Sequence, residues 1–584
     1  MKRLSLTVGG PAVSIRRITP QVWHAHYDAG VRTSLDPYPE RLLVDYLADA
    51  ARERPHHPAL LFNGRAVSTA ELDRLSDVFA AALVALGVKK GDRIALLLPN
   101  CPQFVIAQLG AWKAGAVIVA LNPIYTEHEL EGPLASTGAE TIVVLTPFYK
   151  IAKACAKRTG IRRVIATNIK EYLPLTKNIL FTLFRERKGG HRIELEAGDL
   201  WFSDLMAAHA GKPRPSVHVG VDDPAIVLMS GGTTGTPKGV IGLHRAYVTS
   251  GLQLREWIKG VCQDWQDTIM LPLPLFHVYA NVGVLALGLV SHNTIALIPN
   301  PRDLDDLMKQ IAAVRPAFFT AVPSLFIALL NHPRAKAESG VFRSIKICFS
   351  GAAPLLAETR QRFIALTGGT IIEGYSLTEA MMACIVNPVH GLNKVGSIGM
   401  PLPDVEVMIL DADSGLPTKP GDVGEIVLRA PQVMAEYWKN ADETALVLRP
   451  HGEGKRWVHT GDLGYIDADG YVFIVDRQKD LIKTSGYQVW PREVEEVLAT
   501  HPAVAEVGVA GVADSVKGQA VWAWVVLRPD AHVSEEELRS HARTDLAPYK
   551  VPAHVEFRPS LPKTMVGKVL RRQLVAEART GTAR

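Results

Sequence analysis

Short apolar runs with strand character alternate with helical patterns along most of this chain. Amphipathic helical patterns, such as those at residues 103–113 and 304–314, lie between several of these runs. The alternation predicts large α/β layers built on mostly parallel sheets, because a parallel pair of strands needs a crossover helix between them. Eight strand-like runs stand at residues 93–98, 116–121, 141–145, 163–166, 225–228, 294–298, 317–321 and 344–349.

Length and composition exclude several classes of protein. With 584 residues and 47% hydrophobic residues, the chain can form two or more domains with large cores. The net charge of +5 gives no concentrated basic face, so we expect no nucleic-acid partner. The five cysteines are scattered and form no C-x-x-C pair, which indicates a reduced, cytoplasmic chain without a zinc site. No secretion signal is recognisable, and the apolar stretch 275–290 is too short to span a membrane and is expected to be a buried helix.

The pattern of elements divides the chain into three parts. Residues 1–40 form an irregular lead, and a first helix is expected near Arg41, followed by a hairpin at Asn63-Gly64. A capping box at residues 68–71 then starts an amphipathic helix. After residue 400 the runs at 404–410 and 424–428 predict a β-rich subdomain of antiparallel strands. The large domain is expected to cover residues 41–477.

A separate α+β domain is predicted from residue 478 to residue 584. Its size, about one hundred residues, is common for a small domain. The boundary lies in the charged segment 476–480. Helices are expected at 491–500, 534–542 and 568–579, and strands at 504–512, 520–527 and 555–558.

A loop rich in hydrogen-bond donors follows the apolar run 225–228. Its glycines allow backbone N–H groups to converge on phosphate oxygens, its hydroxyls add donors, and its lysine adds a mobile positive charge. It is not the common P-loop, because Lys238 stands between Pro237 and Gly239. An ordinary solvated loop is the alternative. The loop residues that favour a polyphosphate are Ser230, Gly231, Gly232, Thr233, Thr234, Gly235, Thr236 and Lys238.

Three further segments carry groups suited to nucleotide chemistry, although each alone is more often an ordinary turn or a solvated charge. In residues 373–379, Tyr375 could stack on a base and Glu379 could bind Mg²⁺. Asp462 could accept both hydroxyls of a ribose. Residues 562–568 form a loop that ends at Lys568.

Together, in this order and spacing, these motifs resemble the adenylate-forming superfamily of acyl-CoA synthetases, luciferases and peptide-synthetase adenylation domains. The resemblance extends from about Tyr38 to the C-terminus. Several stretches are most similar to bacterial long-chain fatty-acid-CoA ligases. These are Gly231-Gly232 and the segments 121–130, 172–174, 274–279, 373–379 and 562–572.

The resemblance implies roles for individual residues. Lys568 and Glu379 are expected to be catalytic, Lys479 to be a hinge, and Ser230 and Glu379 to lie at the Mg²⁺. His277 and Val278 are expected in the acyl pocket. The loop 230–238 is expected at the β- and γ-phosphates, and the remaining nucleotide and CoA contacts are expected at Gly351, Ala352, Ala353, Glu373, Gly374, Tyr375, Ser376, Thr378, Asp462, Arg477, Ser485, Gly486 and Tyr487.

The resemblance also implies an activity: ATP-dependent ligation of a medium- to long-chain fatty acid to coenzyme A through an acyl-adenylate, with release of AMP and pyrophosphate. ATP, Mg²⁺ and coenzyme A are the implied cofactors, and the small C-terminal domain is implied to move between the two half-reactions. A ligase for dicarboxylic or aromatic acids remains an alternative, as does an enzyme that passes the adenylate to a carrier protein. A non-catalytic binding relative is disfavoured because Lys238, Glu379 and Lys568 occur together.

Two departures from the family pattern bear on these implications. Asn281 stands where some fatty-acid ligases have a tunnel-gating tryptophan, which leaves the chain length open. Ser230 replaces the more usual threonine but keeps the hydroxyl. The resemblance is compatible with a homodimer and with a cytoplasmic enzyme at the inner membrane surface. Residues 177–188, apolar with basic flanks, could lie on that surface, although a helix packed on its own domain is the more usual outcome.

Overall fold

The computed structural model describes residues 21–230, 237–337, 339–411, 414–451, 454–485, 487–564 and 567–579. Within these residues the chain forms three β-sheets covered by helices. Short 3-10 helices lie at Val22–His26, Thr146–Phe148, Ile169–Tyr172, Ser339–Ser344, Thr378–Ala380 and Gln478–Asp480.

The first part of the chain contains the elements α1 (Leu43–Glu53), β1 (Pro58–Phe62), β2 (Arg65–Ser68), α2 (Thr69–Ala85), β3 (Arg93–Leu97), α3 (Pro102–Lys113), β4 (Val117–Ala120), α4 (Glu127–Thr137), β5 (Thr141–Leu145), α5 (Tyr149–Ala156), β6 (Arg163–Thr167), α6 (Leu175–Phe184), β7 (Leu200–Trp201), α7 (Phe202–Ala208), β8 (Pro224–Ser230), β9 (Lys238–Leu243) and α8 (His244–Ile258).

The second part contains β10 (Thr268–Leu271), a π-helix (Tyr279–Leu285), α9 (Ala286–Val290), β11 (Thr294–Leu297), α10 (Leu304–Val314), β12 (Phe318–Ala321), α11 (Pro323–Asn331), α12 (Pro333–Ala337), β13 (Ile347–Ser350), α13 (Ala357–Thr367), β14 (Thr370–Leu377), β15 (Met382–Val386), β16 (Ser397–Pro401), β17 (Glu406–Leu410), β18 (Gly424–Arg429), α14 (Ala441–Val447), β19 (Leu448–His451), β20 (Lys455–Ile466) and β21 (Val472–Arg477).

The last part contains β22 (Ile482–Thr484), β23 (Tyr487–Val489), α15 (Pro491–Ala499), β24 (Val504–Asp514), β25 (Gly518–Leu527), α16 (Glu535–Asp545), β26 (His554–Phe557) and α17 (Arg571–Arg579).

Two of the sheets belong to the large N-terminal part. One has seven strands in the order β7-β6-β5-β3-β4-β8-β9, parallel except for the edge strand β9. The other has fourteen strands, and its segment β1-β11-β10-β12-β13-β14 is parallel. Parallel strands are buried on both faces, which explains why their sequences are nearly continuous apolar runs. The predicted α/β layers are confirmed.

The same fourteen-stranded sheet continues from β14 as an antiparallel β-rich subdomain through β15, β16, β21, β20, β18 and β17. Its strands include the two that the sequence predicted after residue 400. The third sheet has five strands, with β26 pairing β25 in parallel and the other neighbours antiparallel. It forms the predicted small α+β unit in the C-terminal part of the chain, and the boundary at residue 478 stays a prediction.

The N-terminal lead binds the large part of the protein through side chains. The Tyr38 hydroxyl donates to a carboxylate oxygen of Asp404 at 2.7 Å. Asp28 accepts the backbone N–H of Val389 at 2.7 Å. Residues 21–40 therefore pack as part of the large unit, although they contain little regular structure. The residues before 21 lie outside the described chain.

Several local predictions differ from the structure in detail. Ser68 caps α2 as predicted, but Glu71 binds Arg65 at 3.0 Å. The stretch 275–290 is helical only from Tyr279, and it starts as a π-helix. None of the described helices has both the length and the hydropathy that crossing a bilayer demands.

Candidate active site

A cleft lies between the end of the fourteen-stranded sheet and the small C-terminal unit. Side chains from β14, β20 and β21 line one side, and the loop before α17 lines the other. Tyr375, Asp462, Arg477 and Lys568 all face this cleft. The structure thus brings together four residues that are up to 193 positions apart in the sequence, as the family resemblance predicts.

Asp462 is the centre of a buried polar group on the sheet side. The Tyr375 hydroxyl donates to Asp462 Oδ2 at 2.5 Å. Arg477 Nε lies 3.0 Å from Asp462 Oδ1, because β20 and β21 pair these two residues directly. The carboxylate therefore has an aromatic hydroxyl on one oxygen and a guanidinium on the other, which fixes its orientation towards the cleft.

Lys568 is held by a tight loop on the opposite side. Its N–H donates to Thr564 Oγ1 at 3.1 Å, and its carbonyl accepts the Thr564 N–H at 2.8 Å. Burial lowers the pKa of Lys568 to about 7, and the positive charge of Arg477 acts in the same direction while Asp462 opposes it. The lysine is therefore close to half charged at neutral pH and gains its proton readily when an anion enters the cleft.

The segment 351–355 forms a wall opposite β14. Glu373 Oε1 accepts the Leu355 N–H at 3.1 Å, and burial raises the pKa of Glu373. Gly374 has no room for a side chain, because an added Cβ would stand 2.3 Å from the ring of Phe349. Ala352 has a φ of 72°, an unusual value for a residue other than glycine, and such strain is common at functional sites.

The predicted adenine-wall and nucleotide residues fall into two groups. Within the described chain, Ala352, Ala353, Glu373, Gly374, Tyr375 and Ser376 line the cleft. Gly351 is not among the lining residues but precedes them, and its position against the Tyr279 ring leaves only 3.0 Å for a Cβ. Thr378 lies beyond the end of β14, in the 3-10 turn Thr378–Ala380.

The described residues predicted to bind the phosphates of ATP make their contacts outside the group of residues that lines the cleft. Lys238 Nζ lies 2.6 Å from Glu443 Oε2 and 5.4 Å from the centre of the Tyr437 ring. The Tyr437 hydroxyl donates to Glu379 Oε1 at 2.7 Å. Ser230 is buried at the end of β8, opposite Lys238 in the strand register. The loop residues Gly231, Gly232, Thr233, Thr234, Gly235 and Thr236 lie outside the described residues.

The donor set at this end fits a magnesium ion. One oxygen of Glu379 has no hydrogen-bond partner among the described residues, and Ser230 supplies a hydroxyl. Mg²⁺ is usually held by one or two carboxylates together with substrate phosphates and water. In the described parts of the chain no group of three or more His, Cys, Asp or Glu side chains is arranged to hold a metal by itself.

His277, which is predicted to line the acyl pocket, lies between β10 and the π-helix. Its Nδ1 accepts the Tyr279 N–H at 3.3 Å, and burial lowers its pKa to about 4. The imidazole is therefore neutral at physiological pH. Val278 is fully buried in the main core, and its contact with an acyl chain stays a prediction.

Asn281 is an anchor in the interior. Its Oδ1 accepts from the Tyr247 hydroxyl at 2.7 Å and from Gln108 Nε2 at 2.9 Å. Its Nδ2 donates to Gln108 Oε1 at 2.9 Å and to the Leu275 carbonyl at 2.6 Å. Every polar group of this side chain is paired, and the amide fixes the segment that leads to His277.

The predicted hinge residue, Lys479, is close enough to the cleft for its charge to help lower the pKa of Lys568, whereas the predicted CoA-contact residues lie elsewhere. Lys479 stands in the 3-10 turn Gln478–Asp480 that connects the second and third sheets. Ser485 has a φ of 49° in the hairpin between β22 and β23, and Tyr487 stacks on Tyr549 at 4.5 Å. Neither Ser485 nor Tyr487 is among the described residues that line the cleft. Gly486 lies outside the described residues.

Sequence reasoning missed several residues that shape the site. Tyr437 binds Glu379, and Glu443 binds Lys238. The sequence around Tyr437 and Glu443 contains no recognisable motif. Arg492 fixes the small unit against the sheet, since its N–H donates to Asp476 Oδ2 at 2.8 Å and its Nη1 donates to the Ile474 carbonyl at 3.0 Å. These contacts cross between parts of the chain that no local pattern connects.

Comparisons with known proteins identify similar chains. Residues 47–438 match the family described as AMP-binding enzyme, and residues 493–568 match the AMP-binding enzyme C-terminal domain. The long-chain-fatty-acid–CoA ligase of Bacillus subtilis (strain 168) is 38% identical over 556 residues, which are 95% of this chain and 98% of the relative. The corresponding ligase of Escherichia coli O157:H7 is 35% identical over 564 residues, which are 96% of this chain and 98% of that ligase.

A solved structure has the same architecture. The crystal structure of ATP-bound MatB from Rhodopseudomonas palustris superposes with a TM-score of 0.80 at 28% identity. The superposition covers 93% of this chain and 99% of that one. The similarity therefore includes both the large unit and the small C-terminal unit.

Proposed function

Since this chain belongs to the AMP-binding enzyme family, we propose that it activates medium- to long-chain fatty acids. It is an ATP-dependent ligase that joins an acid to coenzyme A through an acyl-adenylate. The observation that carries the proposal is the cleft in which Lys568 faces Asp462, Arg477 and Tyr375. The long-chain-fatty-acid–CoA ligases that match nearly the whole chain support the choice of acid.

The first half-reaction in this proposal joins the acid to AMP. A carboxylate oxygen of the acid bonds to the α-phosphorus of ATP, and the bond from that phosphorus to the bridging oxygen breaks to release pyrophosphate. Two anions must meet for this, so positive charge has to be present where negative charge develops. We assign that task to Lys568 near the reacting carboxylate and to Lys238 near the leaving pyrophosphate.

The nucleoside would be held on the sheet side of the cleft. Asp462 can accept the ribose hydroxyls, since Tyr375 and Arg477 already orient its carboxylate. The wall at residues 351–353 and the backbone of Gly374 would bracket the adenine, and the missing side chain of Gly374 makes room for the Phe349 ring behind it. Ser230 and Glu379 would hold Mg²⁺, which supplies charge neutralisation for the phosphates when bound.

The second half-reaction transfers the acyl group to the CoA thiol, with AMP as the leaving group. We propose that residues 478–584 form a domain separate from residues 41–477 and turn about Lys479 between the two steps. The position of Ser485 and Tyr487 outside the present cleft supports this, because a rotated domain could present a second face. We assign Ser485, Gly486 and Tyr487 to that face.

The neutral His277 is assigned a place in the wall of the acyl pocket. A neutral ring near the carboxylate avoids adding a fixed charge to an apolar pocket, and its low pKa makes it unsuited to act as a base. We expect an alkyl chain to bind beside His277.

We also propose that the enzyme is cytoplasmic and works at the inner membrane surface as a peripheral protein. Its acid substrates partition into bilayers, and its five cysteines are all free and buried, which suits a reducing compartment. A homodimer is compatible with the family resemblance.

An assay of AMP release with a panel of acids tests the proposed function. We expect AMP release with fatty acids of medium and long chains, and we expect it to require CoA for turnover. Preference for dicarboxylic or aromatic acids would replace the substrate assignment. Adenylate formation without use of free CoA would favour a carrier protein as the acyl acceptor. If no acid leads to AMP release, the proposal that this chain is an acid-activating enzyme fails.

A further inference from the structure

Helix α6 presents an apolar face to solvent. None of its ten residues is buried. Leu175, Ile179, Leu180, Leu183 and Phe184 are 77%, 51%, 55%, 69% and 65% exposed. They are five of the eighteen large apolar side chains exposed in the described parts of the chain. Such concentration on one element marks an interaction surface, whereas scattered exposed apolar residues do not.

The opposite face of α6 is attached to the protein, so the apolar face has a fixed direction. Lys177 Nζ donates to the Asn63 carbonyl at 2.8 Å, and Asn178 Nδ2 donates to the Lys170 carbonyl at 2.8 Å. Phe181 packs edge-on against His191 with ring centres 5.1 Å apart. At 3.6 residues per turn these three positions lie on one side of the helix, and four of the five exposed apolar residues lie on the other, with the fifth at the helix end. The helix is therefore attached to its own domain through one face, while its Leu, Ile and Phe184 side chains stay exposed.

Positive charge lies at the C-terminal end of the apolar face. Between residues 175 and 192 the sequence has five basic residues and one acidic residue, Glu186. Glu186 is paired with Lys170 at 2.6 Å. Arg185, Arg187 and Lys188 are exposed and make no ion pair with any other described residue. These cations stand directly after the helix, where they would meet an anionic surface that the apolar side chains enter.

The helix is connected to the predicted acyl pocket by a short chain of contacts. Asn168 Nδ2 donates to Glu186 Oε1 at 3.0 Å, and Gln103 Nε2 donates to the Asn168 carbonyl at 3.0 Å. Asn100, three residues before Gln103, accepts the Leu275 N–H at 2.8 Å. Leu275 precedes His277 by two residues, so these contacts link the end of α6 through the interior to the segment that carries His277.

We propose that α6 is the docking face for an anionic lipid bilayer. The helix lies in the interface plane, with its five apolar side chains among the acyl chains and Arg185, Arg187 and Lys188 at the headgroups. Docking there brings the protein to the surface in which fatty acids are dissolved. This purpose rests on the proposed function, but the docking itself does not depend on catalysis.

Vesicle co-sedimentation with the full chain tests the docking. The vesicles contain either phosphatidylcholine alone or phosphatidylcholine with phosphatidylglycerol. We expect binding to the mixed vesicles that weakens with salt. The double substitution Leu183→Glu and Phe184→Glu should reduce binding roughly tenfold, because it places two charges in the apolar face. Replacement of Arg185, Arg187 and Lys188 by Gln should remove the preference for anionic vesicles.

A matched control separates this face from general hydrophobicity. Val516 is 89% exposed on the small C-terminal unit, so Val516→Glu should bind vesicles like the unchanged protein. Adenylation of a water-soluble medium-chain acid should be unchanged in all three variants, which shows that the fold is intact. The proposal would be overturned if the α6 variants bind vesicles as well as the unchanged protein does. It would also be overturned if the unchanged protein does not bind vesicles.

Three further outcomes distinguish the alternatives. If the α6 substitutions convert a dimer to a monomer in light scattering without vesicles, a second copy of the chain covers this face and the bilayer is the wrong occupant. If vesicle binding depends on α6 but no acid yields AMP, the docking stands and the proposed function fails. If acids yield AMP but vesicle binding does not depend on α6, the proposed function stands and the docking fails.

Discussion

The pKa of Lys568 leads to a prediction about the pH dependence of adenylate formation. Burial and Arg477 lower this pKa from 10.5 to about 7. The protonated form is the one that can neutralise the attacking carboxylate, so activity should fall as the pH rises through the folded-state value. With a pKa of about 7, about half of the lysines are charged at pH 7 and about 1% at pH 9, since the charged fraction falls tenfold for each pH unit.

The first half-reaction should be followed alone, by exchange of labelled pyrophosphate into ATP in the absence of CoA. This avoids the titration of the CoA thiol. We expect kcat/KM for ATP to decline above pH 7 with a slope that approaches one decade per unit. Lys568→Arg should keep its charge across this range and lose the decline, at a lower maximal rate because the guanidinium has a different shape.

Two neighbouring substitutions test the cause of the low pKa. Arg477→Gln removes a positive charge and should move the decline to higher pH, while Asp462→Asn removes a negative charge and should move it to lower pH. Thioester formation from supplied acyl-adenylate serves as the control, and its rate should not depend on the protonation state of Lys568. If the decline above pH 7 persists unchanged in Lys568→Arg, another group titrates and the reasoning is refuted.

Three other substitutions have defined expectations. Gly374→Ala would place a Cβ 2.3 Å from the Phe349 ring, so the free energy of unfolding should fall by about 1 to 3 kcal/mol and KM for ATP should rise; unchanged values in urea unfolding and ATP titration would contradict the packing. Asn281→Ala would leave buried partners such as the Tyr247 hydroxyl unpaired and should cost about 1 to 3 kcal/mol, measured by chemical denaturation; a loss within error would mean that water replaces the amide. Lys479→Pro should retain pyrophosphate exchange but lose thioester formation, because proline fixes φ at the proposed hinge; retention of both half-reactions would place the hinge elsewhere.

Sequence patterns predicted elements well where a single physical cause dominates. The buried strand at residues 141–145 and the helix at residues 304–314 have the predicted bounds, because a continuous apolar run and an amphipathic period each specify one structure. The helix expected from Lys568 instead starts at Arg571. The reason is tertiary: Lys568 exchanges hydrogen bonds with Thr564, which holds the residues before the helix as a loop.

Those site residues that belong to motifs of the family could be predicted from the sequence. Asp462 and Arg477 come together because two strands pair them, and their roles remain our proposal. Tyr437 and Glu443 could not be predicted, since their contacts depend on how the segment after β18 returns to β9. Likewise, the apolar pattern of α6 looked like a packing face, and only the positions of its neighbours reveal which side is covered.

The ion pair between Lys238 and Glu443 has a consequence for turnover. In the described structure Glu443 forms an ion pair with Lys238, the lysine that we assign to the leaving pyrophosphate. Its Oε2 lies 2.6 Å from Lys238 Nζ. Glu443 is thus a built-in competitor of the nucleotide: ATP must displace it on entry, and it can take back the lysine as pyrophosphate departs. We expect Glu443→Gln to lower KM for ATP and to slow pyrophosphate release, so that tighter binding comes with slower product exchange. A variant with unchanged KM and unchanged release would mean that the pair only fixes α14 to β9.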